Sequence, residues 1–95
     1  MIVERWTWTI KRGCRNEFIE VMKAMLKLNG FAGRVCTHKF GPYDVVSWYQ
    51  EFESMEDRQK VWDAIDWSRP EVAELRKKNE DLSEPGTTRE LYQVH

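Results

Sequence analysis

The chain is predicted to fold as an α+β domain with ferredoxin-like βαββαβ order, a four-stranded antiparallel sheet carrying its helices on one face. Three observations predict it. The apolar period switches from two to about four and back, twice, within 95 residues. Two sequence-distant halves each read as one βαβ-type unit. Helices joining consecutive strands by right-handed crossovers fall on the same side of such a sheet.

The first strand covers residues 2–10, rich in β-branched and aromatic types. Trp6, Trp8 and Ile10 share one face, and Val3, Arg5, Thr7 and Thr9 the other. Lys11-Arg12-Gly13 ends it. A helix over 14–28 follows, with Cys14, Phe18, Val21, Met25 and Leu28 as its stripe, widened by Ile19, Met22 and Leu26. Asn29-Gly30 stops it, since both residues tolerate the left-handed region past a helix end.

Residues 34–40 and 44–53 read as a hairpin with Pro42 and Tyr43 as the two loop residues. Phe40 then faces Val45, His38 faces Ser47, Cys36 faces Tyr49, and Arg34 faces Glu51 as an opposite-charge pair. Ser54 is a helix cap, with Glu56 and Asp57 suited to the first turn. Val61, Trp62 and Ile65 form the apolar side of that helix. Pro70 breaks it, because proline pushes Arg69 out of the helical region, and a further helix starts there. The stripe of this last helix is Val72, Leu75, Asn79 and Leu82, and the last strand runs over 88–94.

The formal charge is −1, from 15 basic and 16 acidic residues. Nucleic-acid binders normally carry a basic stripe, so none is expected as a partner. The chain also lacks an apolar run near the ~20 residues of a membrane span. Its start has neither the basic region nor the apolar stretch of a signal peptide, and the expectation is a cytoplasmic protein without membrane association. Two cysteines make no disulfide framework, and two histidines far apart make no metal site. Five Trp, four Phe and three Tyr supply a core, a ligand wall, or both. A single domain over residues 1–95 accounts for the whole pattern.

The segment from Glu4-Arg5-Trp6-Thr7 to Lys11-Arg12-Gly13, followed by Glu17-Phe18, resembles the opening of NIPSNAP-like proteins. Gly41-Pro42 through Val45-Val46, then Phe52-Glu53-Ser54-Met55-Glu56-Asp57-Arg58, resembles the same family's third strand and helix start. More broadly the chain is similar to the dimeric α/β-barrel superfamily, which includes antibiotic biosynthesis and haem-degrading monooxygenases. The resemblance implies a homodimer whose sheets face each other around a cavity. It departs from the haem-degrading members in having no histidine over residues 54–69. It departs from the cofactor-free oxygenases in offering Arg5, Thr7 and Thr9 where those often place a first-strand asparagine.

The expected function is binding of a small hydrophobic or aromatic molecule in a cavity, without a cofactor or metal. Turnover would take the form of cofactor-independent oxygenation or isomerisation. Arg5 would then orient an anionic group, His38 move a proton, and Tyr49 stabilise negative charge. Thr7, Ser47 and Glu51 would line the ligand site, with Trp62 and Trp67 as a lid. In the competing reading the same residues are structural, and the homodimer is a non-catalytic binding or assembly module.

Overall fold

A computed structural model describes all 95 residues. The elements run β1 (Ile2–Thr9), α1 (Arg15–Leu28), β2 (Arg34–Thr37), β3 (Val45–Phe52), α2 (Met55–Asp63), α3 (Pro70–Leu82) and β4 (Thr88–Gln93). The sheet order is β2-β3-β1-β4, with every neighbouring pair antiparallel. This is the ferredoxin-like arrangement the hydrophobic periods predict.

The helices cover the face that carries Trp8, Ile10, Val46, Trp48 and Phe52, all buried. Phe18, Val21 and Met22 of α1 and Val72 of α3 close onto it. Local chemistry explains the helix ends. Ser54 caps α2 by accepting the Asp57 N–H at 3.2 Å. Pro70 sits in the first turn of α3, and Arg69 before it is extended (φ −63°, ψ 129°).

The β2–β3 hairpin differs from expectation in register. Cys36 pairs with Ser47, Arg34 with Tyr49 and Thr37 with Val46. The pairing has slipped by two residues, so side chains keep their faces but change partners. His38 therefore does not face Ser47, and Phe40 does not face Val45. Glu51 pairs with Val3 rather than Arg34. The cause is the turn. Two-residue hairpin loops need positive φ at their first residue, which proline cannot adopt. The chain instead leaves the ladder after Thr37 and rejoins it at Val45, bending through Gly41 at φ +121°.

Candidate functional site

Between the sheet and its helices lies a cavity of about 330 Å³. Its floor is Trp6 and Trp8 of β1 with Trp48 of β3. One wall is Met22, Met25 and Leu26 of α1, continued by Asn29 and Phe31. Trp62, Ile65 and Trp67 form the other wall, and Arg76, Asn79 and Glu80 of α3 with Thr87 border it. Ten of the 15 lining residues are hydrophobic, which makes it an apolar site with a polar border, the usual composition of a ligand pocket.

Aromatic contacts hold the walls. Trp8, Trp6, Trp62 and Trp67 form a stacked run with successive centroids 5.9, 6.0 and 6.5 Å apart. Phe31 meets Trp48 and Trp62 edge-on at 5.3 and 5.1 Å, joining floor to wall. At the border the Arg76 guanidinium lies 5.4 Å from the centre of the Trp67 ring and 3.7 Å from the Glu80 carboxylate. The Asn79 amide donates to the Met22 sulfur at 3.1 Å. Asp66 accepts from both the hydroxyl and the backbone N–H of Ser68, which closes the turn carrying Trp67. Those two bonds, the hydroxyl's first, hold the Asp66 carboxyl below its ordinary 3.8.

Behind the wall sits Glu4, a carboxylate with no exposed surface. Its partners are the Arg58 guanidinium, which reaches it through Nε at 3.1 Å and Nη2 at 2.8 Å, and the indole N–H groups of Trp6 and Trp62.

Of the residues singled out from sequence, Trp62 and Trp67 lie on this cavity. Arg5, Thr7, Ser47, Tyr49 and Glu51 lie on the opposite face of the sheet, which no helix covers. There Arg5 pairs with Tyr49 on one side and Glu90 on the other, and the hydroxyls of Thr7 and Ser47 are 3.3 Å apart. The Tyr92 phenol donates to Glu90 at 2.6 Å, and that bond raises its pKa above 10.0. His38 is exposed, beyond the end of β2. Tyr49 pairs with Arg34, so His38 stands four residues, roughly 13 Å, further along the strand direction. One protomer thus brings Arg5 and Tyr49 together and leaves His38 apart. Sequence reasoning missed Glu4, Arg58, Phe31 and the charged pair of α3. Glu4 did carry a signal, since it alternates in phase with Trp6 and Trp8.

No protein-family model and no curated protein matches the chain. Solved structures do. An uncharacterized NIPSNAP domain protein from Burkholderia xenovorans superposes with a TM-score of 0.77 at 15% identity, covering 100% of this chain and 95% of that one. A NIPSNAP family protein with unknown function from Agrobacterium tumefaciens gives 0.77 at 18% identity, covering 97% and 86%. An antibiotic biosynthesis monooxygenase gives 0.72 at 8% identity, covering 100% and 99%. At such identities the likeness speaks to the fold, and the chain has the ferredoxin-like fold that these NIPSNAP proteins and this monooxygenase share.

Proposed function

We propose that this protein is a homodimer in which each protomer binds a small, flat hydrophobic or aromatic molecule between its sheet and its helices. The observation that carries the reading is the helix-side cavity, with five tryptophans around about 330 Å³. A core needs no such void, because interiors normally pack to crystal-like density. Indole walls favour planar ligands through stacking, and the border of Asn79, Arg76 and Glu80 suits one polar substituent. The dimer is supported by the uncovered sheet face, where Val3, Cys36, Val45 and Tyr49 are half-buried in the protomer and free of any helix. Both cysteines are free, which suits a reducing cytoplasm.

A second reading adds turnover. It is favoured by the fold shared with the monooxygenase and by Glu80, the one carboxylate on the cavity lining. In that reading Glu80 takes a proton from an activated carbon acid, while Arg76 and Asn79 steady the resulting anion. Oxygenation without a cofactor would take dioxygen as oxidant and draw all four electrons from a CH2 carbon of the substrate, one oxygen atom entering as C=O and the other leaving as water.

Titration with 1-naphthol, followed by quenching of the indole fluorescence, tests the binding reading. Saturable quenching is expected, and Met25→Trp, which fills the cavity, should weaken it at least on the order of 10-fold. Quenching that never saturates, or that Met25→Trp leaves unchanged, rules the cavity out as the ligand site.

A further inference from the structure

We infer that Glu4 is the positioning residue of the cavity: by taking the N–H groups of Trp6 and Trp62 it makes their wall free of hydrogen-bond donors, and so selects ligands whose inner end is an acceptor-free aromatic ring. The inference rests on the ligand reading above and names the ligand class.

The Glu4 carboxylate is saturated. Oε1 accepts from Trp62 Nε1 at 2.9 Å and Arg58 Nε at 3.1 Å. Oε2 accepts from Trp6 Nε1 at 3.1 Å and Arg58 Nη2 at 2.8 Å. An ionised carboxylate takes several donors and offers none, so no neutral side chain of this size could replace it. Trp6 and Trp62 line the cavity, whereas Glu4 and Arg58 do not. The two indoles therefore turn their N–H edges away from the cavity and toward the buried carboxylate. One of these bonds runs within β1, between residues on the same face. The other spans 58 positions to α2, so one side chain sets the orientation of two walls.

The consequence is chemical. A free indole N–H on the wall would reward an acceptor on the ligand. With both donors engaged, an acceptor placed there loses its water and gains no partner. The other polar lining groups, Asn29, Asn79, Arg76, Glu80 and Thr87, come from the end of α1, from α3 and from the segment before β4. Trp48 lines the cavity too, but its unpartnered N–H rests against the Gly33 backbone. The fitting ligand is a flat ring system whose end against Trp6 and Trp62 carries no acceptor, with its polar substituent at that border.

The test compares 1-naphthol with 5-hydroxyquinoline, which has the same shape and adds a ring-nitrogen acceptor at the end remote from the hydroxyl. Affinities are measured for the parent protein and for the double variant Glu4→Leu/Arg58→Leu. Replacing both members of a buried ion pair with apolar groups usually preserves the fold. The parent should prefer 1-naphthol on the order of 10-fold, the cost of an unpaired buried acceptor. Without the carboxylate that holds their N–H edges outward, the two indoles are free to turn a donor to the cavity, and the double variant should lose that preference. Its Trp6 and Trp62 indole N–H signals should exchange rapidly with solvent, while that of Trp48 is unchanged. If the double variant does not fold, Glu4→Gln, which swaps one acceptor oxygen for a donor and so frees one of the two indoles, should lower the preference and speed exchange at that indole alone. Equal affinity of the parent for both probes overturns the inference and leaves the cavity reading standing. So does an undiminished preference in a variant whose two indoles have been freed. A parent that binds neither probe overturns both.

Discussion

Gly33, just before β2, shows how closely single residues constrain this wall. A Cβ built there would lie 2.1 Å from Trp48 Nε1 and 2.6 Å from the Tyr49 carbonyl oxygen. The indole of Trp48 thus rests directly on the Gly33 backbone, and its buried N–H has no partner in the protomer. Backbone cannot yield as a flexible side chain can. Gly33→Ala should therefore destabilise the fold by about 1–3 kcal/mol, the usual cost of overpacking. The readout is a lower urea midpoint with an unchanged slope, and an unmoved midpoint would show that Trp48 does not press on Gly33. Glu4 shows what a sequence leaves hidden at this scale. Its phase with Trp6 and Trp8 marks it as inward-facing. A carboxylate there is tolerable only because Arg58 and Trp62 arrive from α2, and no local pattern reveals such long-range partners.

Elements were more legible than residues, where local chemistry decides them. The α1 stripe follows from the helical period, the Ser54 cap and the helix start at Pro70 from rules acting within one turn, and each is present. The expected hairpin register rests on Pro42 and Tyr43 as a two-residue loop, with the opposite-charge pair Arg34–Glu51 as modest support, and it is the loop that fails. Cross-strand pairs contribute only about 0.2–1 kcal/mol, whereas a proline cannot take positive φ at all. The segment between α2 and α3 allows a prediction about pH. Asp66 holds the Trp67 turn through Ser68, and its pKa is lowered in the folded state. A lowered pKa contributes stability above the unfolded value of 3.8 and loses it as pH falls through the folded value. Ser68→Ala removes the larger of the two stabilising bonds. Its cost in urea denaturation should be measurable at about pH 6 and should shrink at about pH 3. A cost that is the same at both would mean the bond to Asp66 does not hold this turn.

At the scale of the whole molecule, a four-stranded sheet with helices on one side leaves its other side to be covered. In this protein that side is neither a plain solvent face nor a plain core. Val3, Val45, Cys36 and Tyr49 are apolar or nearly so, while Arg5, Glu51 and Glu90 are charged and exposed. At the sheet's end Phe40, in the β2–β3 connection, is 89% exposed and adds one more apolar side chain for a partner to cover. A two-fold pairing of these faces would bury the apolar groups, with Arg5 on central β1 keeping Glu90 of β4 beside it as a countercharge. Sedimentation velocity at micromolar concentration should then give a dimer. Tyr49→Lys should give a monomer, because a third cation beside Arg5 and Arg34 would be buried in the interface without a partner. The fold should survive, since residue 49 is only half-buried in the protomer and a lysine there reaches water. The cavity lies on the other side of the sheet, so the monomeric variant should still bind 1-naphthol. Loss of binding together with the dimer would mean that the partner completes the site. A parent protein that sediments as a monomer would leave the sheet face open and remove the case for assembly.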